Sequence, residues 1–276
     1  MSGASMNQIR SRIKSVGSTM QITRAMELVA TSKLRRARES AEGTDAFADA
    51  FDAAIIPLMR SVNTDDCVWF NASADGKVLY IVIAGDRGLA GGFNANVLRM
   101  VSPQNDAEFI PFGKKAIEFY NKKTSFKYSK NVSDTTMQDC AHVAKYVCDG
   151  FAAQKFCRVE LIYTRFVSIL TQLPTRQTLL PLSPPHGDDN ESFGIVTDES
   201  PEVLLDSLMT QYVGGLIYRA VCQSAAAESA SRRMAMNSAN KNAEQMIDEL
   251  TLNYNRARQA VITREITEIV AGAGEL

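Results

Sequence analysis

Apolar residues recur at helical spacing near both ends of the chain. Ile9, Ile13, Val16 and Met20 follow one another at intervals of four, three and four, and the stripe restarts at Ile22, Met26 and Val29. Residues so spaced share one helix face, so positions 5 to about 56 are expected to form one long helix. Ser5 followed by Gln8 reads as a capping box at its start. Gly17 and Gly43 are weak points within it, and Pro57 is expected to close or kink it. At the other end, Ser200-Pro201-Glu202 supplies a capping hydroxyl, a proline at the first helical position and a carboxylate near the positive end of the dipole. Met236, Ala239, Ala243, Ile247, Leu250, Tyr254, Ala257 and Val261 then step by 3, 4, 4, 3, 4, 3 and 4, close to a heptad seam. This second helix is expected to reach Ala271, weakened only at Gly214-Gly215. Its many alanines let a partner helix approach closely, and Glu228 with Arg232 is expected to form an i,i+4 pair on its outside.

The centre has a different rhythm. Strands are expected over 77–84, 108–112, 158–164 and 169–180, with helices over 94–101, 114–121 and 137–154. Alternating β and α elements argue a small α/β sheet domain. Pro181, Pro184-Pro185 and positions 187–190 read as the linker back to the second long helix. A helix of seventy residues would be about 105 Å long, whereas a compact chain of this length has a radius of gyration of about 19 Å. The expectation is therefore a mixed α+β or α/β chain. Segments 1–60 and 200–276 pair as an antiparallel coiled coil, and 74–184 form a central Rossmann-like domain.

Composition supports that division. Of eight prolines, none falls in residues 1–56 or 202–276, where average usage would place about six or seven. The 45% hydrophobic and 22% charged content excludes wholesale disorder. The net charge of −1 excludes an overall electrostatic attraction to nucleic acid. It conceals a local excess of seven positive charges in the first 38 residues, followed by the acidic run Glu39, Glu42, Asp45, Asp49, Asp52, Asp65 and Asp66. A basic, serine-containing start also fits a transit peptide, but the helical pattern continues through it, which favours a mature basic helix. No run reaches the ~18 apolar residues of a membrane span. Five cysteines without a CxxC pair read as reduced, buried thiols, and His142 and His186 lack ligand spacing, so no metal site is expected.

The glycine turn from Gly85 to Asn94 follows a strand and enters a helix, the setting of a dinucleotide fingerprint. Its glycines fall at 85, 88, 91 and 92, however, not as GxGxxG, and no GK[ST] follows. A structural corner, with Asp86 and Arg87 capping or bridging it, is the plainer reading. GxSxG, HExxH and an activated Cys–His pair are all missing, so no catalytic residue and no cofactor is expected. The basic first arm invites a nucleic-acid reading. Yet its apolar stripe demands a partner helix, and no aromatic residue precedes Phe47 for base stacking.

Three segments carry a resemblance. These are 9–16 (IRSRIKSV) with 22–35 (ITRAMELVATSKLR); 86–94 (DRGLAGGFN); and 233–236 (RMAM) through Ala243 with 254–273 (YNRARQAVITREITEIVAGA). In this order they resemble the gamma subunit of the rotary ATP synthase, bacterial type. The resemblance implies a central-stalk rotor that passes torque between the membrane c-ring and a hexamer of alpha and beta subunits. Its further partners would be the epsilon subunit and the c-ring, with no nucleic acid and no direct membrane insertion. By position, Arg258, Gln259 and Thr263 resemble residues that touch the catch loops of the beta subunits. Met26 would face an acidic beta loop, with Arg24, Lys33 and Arg35 nearby, and Asp86, Arg87, Gly88, Gly91 and Gly92 would form the structural turn. Gly85 stands where the family usually has Ser or Thr, and Glu275 where a small or basic residue is usual. The paired cysteines of chloroplast relatives are absent, so thiol regulation is not expected. A peripheral place on the cytoplasmic side of a bacterial plasma membrane follows, without a transit peptide.

Overall fold

The structure, a computed structural model, describes residues 2–73, 75–101, 107–121, 126–184 and 200–273. Helix α1 spans Ser2–Ser61 and helix α5 spans Pro201–Ala273. Between them lie β1 (Lys77–Ile83), α2 (Phe93–Arg99), β2 (Ala107–Phe112), α3 (Lys114–Tyr120), α4 (Met137–Ala152), β3 (Phe156–Phe166) and β4 (Gln172–Leu180). His186, Pro185, positions 187–190 and Glu275 lie outside the described residues. The chain divides into two compact units. One comprises Met1–Ala30 with Arg233–Leu276, the other Thr31–Arg232.

In the larger unit the four strands run in the order β2-β1-β3-β4. β1 pairs parallel with β2 and β3, and β4 closes one edge antiparallel to β3. Because side chains alternate across a strand, β1 feeds two cores. Leu79, Ile81 and Ile83 meet α4 (Val143, Val147) and the facing ends of α1 (Ile55, Leu58) and α5 (Leu205, Met209). Tyr80, Val82 and Ala84 lie in the second cluster with Val97 of α2 and Ala116 and Tyr120 of α3. A strand buried on both faces explains why β1 reads as an unbroken apolar run. Helices α1 and α5 are antiparallel within this unit, since Ser40 reaches Cys222, Asp45 reaches Arg219, and Phe51 stacks on Tyr212. Arg219 also meets Asp49, so part of the acidic run is neutralised by one guanidinium.

In the smaller unit, half-buried positions on α5 fall at Ala239, Ala243, Ile247, Leu250, Tyr254, Ala257 and Val261, and Met236 is buried. This is the expected seam. On α1 the half-buried set is Ile9, Ile13, Val16 and Met20, as expected, but it continues through Thr23, Met26 and Glu27 to the buried Ala30. Ile22 and Val29 are exposed, which corrects the restarted stripe. The seam keeps its period by accepting polar residues. Thr23 Oγ1 donates to Asn240 Oδ1 at 2.5 Å, and Asn240 Nδ2 donates to Glu27 Oε2 at 2.8 Å. A buried polar group survives when its partner is polar too.

Three further expectations need correction. Ser5 lies inside α1 and not at its cap, because the helix begins at Ser2. Pro57 does not close the helix, since α1 runs on to Ser61. A proline removes one backbone donor, and here the surrounding Ile55, Leu58 and Met59 are buried in the core, which holds the turn in place. Cys157 is only half-buried, whereas Cys67, Cys140, Cys148 and Cys222 are buried free thiols.

Candidate functional site

Gly85 lies two residues past β1 and opens the glycine turn, with Gly113 opening α3 beside it. Gly113 has φ of 90°, and a side chain there would strike the carbonyl oxygen of Ala84. Only glycine suits both demands. The Asp86 carboxylate then ties this turn to two further segments, the start of α3 and the turn at 132–134. Its Oδ1 accepts from the N–H of Lys114 at 3.2 Å and of Val132 at 3.0 Å, and its Oδ2 accepts from the N–H of Ser133 at 2.8 Å. Asn94, at the start of α2, accepts from the N–H of Gly85 at 2.7 Å and donates to the carbonyl of Arg87 at 3.3 Å. The Arg87 N–H donates to Glu228 Oε1 of α5 at 3.4 Å.

These bonds decide what the turn can do. A phosphate cradle needs free N–H groups pointing at the ligand. Here the N–H groups of Gly85 and Arg87 are already taken by side chains of the same chain. A carboxylate occupies the position an anion would need, so the turn works as a joint. Glu228 and Arg232 do form the i,i+4 pair, at 2.5 Å, but against the turn and not on the outside of α5. Glu160 is a second buried carboxylate. It sits on β3 between Arg158 and Arg176.

The residues named by resemblance separate into groups. Arg24 is exposed and ion-paired with Glu244. Met26 is half-buried on the seam side of α1. Arg258, Gln259 and Thr263 are exposed on α5, among the half-buried Tyr254, Ala257 and Val261 of the seam. Lys33 and Arg35 are exposed on α1. Lys33 shares a cavity of about 380 Å³ with Arg36, Asp86, Arg87, Glu228 and Arg232. Gly88, Gly91 and Gly92 are exposed around the tip of the turn. Sequence reasoning missed Asn240, gave Asn94 no bonding role in the turn, and placed Glu228 on the outside of α5. The signal for Glu228 was its isolation as a carboxylate among alanines.

Burial pushes the Cys140 and Cys148 thiols up to about 12, which keeps them protonated at neutral pH. Asp139 is held well below the usual carboxylate range, chiefly by the Lys130 ammonium and then by Thr136, and it serves as part of the α4 capping box. Among the described residues, no group of three or more His, Cys, Asp or Glu could hold a metal ion, and no helix is long and apolar enough to cross a membrane.

The family model described as ATP synthase matches residues 5–276. The ATP synthase gamma chain of Ruminococcus albus is 42% identical over 96% of this chain and 96% of its own length. The chain belongs to the ATP synthase gamma-chain family. Another gamma chain, from Desulforamulus reducens, is 36% identical over 99% of both. Among solved structures, the rotor of the Euglena gracilis mitochondrial ATP synthase matches with a TM-score of 0.65, covering 94% of this chain and 99% of that one at 18% identity. The central stalk and c-ring assembly from Tetrahymena thermophila contains a chain matching at a TM-score of 0.60. It covers 79% of this chain and 99% of that one, at 22% identity. These two similarities establish a shared fold. They account for the combination of a four-stranded sheet with long first and last helices.

Proposed function

We propose that the chain is the central-stalk rotor of a proton-translocating ATP synthase and has no catalytic site of its own. Its relation over nearly its full length to bacterial ATP synthase gamma chains carries this reading. In it, segments 1–60 and 200–276 act as a coiled-coil shaft within the hexamer of alpha and beta subunits. Segment 74–184 forms the α/β part that joins the epsilon subunit and the c-ring. The complex sits on the cytoplasmic side of a bacterial plasma membrane, with this subunit peripheral to it. ATP is made or hydrolysed in the beta subunits, and the shaft imposes the order in which their sites change affinity.

The stator-facing residues in this reading are Arg24, Met26, Lys33, Arg35, Arg258, Gln259 and Thr263, and Asp86, Arg87, Gly88, Gly91 and Gly92 keep the turn in shape. The exposed cations suit an acidic sleeve, because charge complementarity orients partners without demanding one fixed contact. Arg258 and Gln259 are exposed on α5 and open to such a contact, while the half-buried positions of that stretch are spent on the seam. Mixing the purified chain with alpha and beta subunits tests the reading. Association with a rise in ATPase above that of the hexamer alone is expected. A chain that fails to associate would remove it. Met26→Lys should then lower pumping per ATP more than it lowers assembly.

A further inference from the structure

The helix period of α5 does not call for a carboxylate at position 228. Its neighbours Ala226, Ala227 and Ala230 are fully buried, and methyl groups would fill the space with no electrostatic cost. Glu228 and Arg232 side chains are nonetheless each only 11% exposed. Such a charge is unfavourable to bury unless it is paired and its remaining lone pairs are satisfied. Here the pair is turned toward the Asp86-Arg87-Gly88 turn. Glu228 accepts from the Arg87 N–H, while Arg232 donates to the carbonyls of Arg87 at 3.4 Å and Gly88 at 3.3 Å. Two side chains of α5 therefore grip both kinds of backbone group in one turn.

The fit behind that grip is close. A Cβ on Gly85 would stand 2.8 Å from the Glu228 carboxyl carbon and 3.0 Å from the Asn94 amide oxygen. The turn leaves the sheet just past Ala84, whose N–H donates to the Phe112 carbonyl of β2, and Asp86 fixes it to Lys114, Val132 and Ser133. A chain of directional contacts thus runs from the sheet, through the turn, into α5. The distinction is mechanical. Packed methyl groups resist separation, but hydrogen bonds with fixed donors and acceptors also resist sliding. We propose that Glu228, held by Arg232, is the positioning residue that keys the Asp86-Arg87-Gly88 turn to α5, so that load on the α/β part reaches the helix without slip. This rests on the rotor reading and assigns one step of its torque path to a single carboxylate.

The test uses the full chain assembled with alpha, beta and epsilon subunits and the c-ring in vesicles, with ATP hydrolysis and proton pumping read on the same sample. Glu228→Gln keeps the shape and loses the charge. It is expected to hydrolyse ATP at the normal rate per assembled complex while pumping roughly half as many protons per ATP, or fewer. Gly85→Ala pushes on the carboxylate and should give a similar loss. Adding Glu228→Asp to it withdraws the carboxylate by one methylene and should recover pumping. In the free chain, hydrogen exchange at the Arg87 amide should rise about tenfold in Glu228→Gln with β1 unchanged.

A merely structural role predicts less assembled complex with an unaltered ratio of pumping to hydrolysis, and that result overturns the proposal. If Glu228→Gln does not assemble, the Gly85→Ala and Glu228→Asp pair decides, because simple addition of their losses contradicts the proposal and recovery supports it. Failure of the unaltered chain to pump would count against the rotor reading instead.

Discussion

Replacing Asp86 by alanine should unfasten the glycine turn by an amount that can be worked out bond by bond. Three N–H groups lose their acceptor, those of Lys114, Val132 and Ser133. Hydrogen bonds to a charged group are worth about 1.5–3 kcal/mol each, but a freed donor that reaches water recovers most of that. Lys114 and Ser133 are exposed, so their N–H groups can be solvated, while Val132 is buried and its N–H is left unpaired. The expected loss is about 2–4 kcal/mol, dominated by Val132. Asp86→Asn should cost less, about 1–2 kcal/mol, because an amide oxygen can still serve Lys114 and Val132 while its NH2 opposes the Ser133 donor.

The assay is urea denaturation followed by the fluorescence of Trp69, the only tryptophan. Trp69 reports on the right unit, since it stacks on Phe151 of α4 and donates to Asp206 of α5. The reasoning fails if Asp86→Ala shifts stability by less than about 0.5 kcal/mol, the range of an indifferent surface change. It also fails if the asparagine variant is the weaker of the two.

Gly113→Ala should cost about 3 kcal/mol or more, since it combines a φ of 90° with a clash at the Ala84 carbonyl; near-normal urea stability would contradict this. Gly43→Ala should raise stability by about 1 kcal/mol, because it lies inside α1 with nothing within 4 Å of the added methyl. An unchanged or lower melting temperature would mean that α1 frays there. Asp139 has a depressed pKa in the folded chain, so its contribution is present above the ordinary carboxylate pKa of about 3.9 and is lost as pH falls through the lower folded value. The stability gap between the unaltered chain and Asp139→Asn should therefore be constant near neutral pH and close below about pH 4, and a gap that widens in acid would reverse the assignment.

How much of this was legible depended on whether one residue's neighbours were local. β1 announced itself through Leu79 to Ala84, since a strand buried on both faces needs no partner to be recognised. The α5 seam from Met236 to Val261 was equally plain, because the apolar period of a helix is a property of that helix alone. The α1 seam failed at Ile22 and Val29 for the opposite reason. Its true member Thr23 is polar and earns its place through Asn240, 217 positions away. Glu228 was misplaced in the same manner, since the i,i+4 rule sees Arg232 but not the Arg87 amide on the far side. Pro57 looked like a terminus because helix rules weigh the lost donor and not the buried Ile55 and Leu58 around it. The turn was visible as a motif, but its use of Asp86 to reach the start of α3 and the turn at 132–134 required their folded positions.

The central claim is rotation, and it can be watched. The chain, carrying a bead on an exposed residue such as Lys145, would be assembled with alpha and beta subunits fixed to a surface and supplied with ATP. The account predicts unidirectional turning of the bead that stops when ATP is exhausted. Steady ATP hydrolysis by the same complexes with the bead stationary or moving without direction would contradict it.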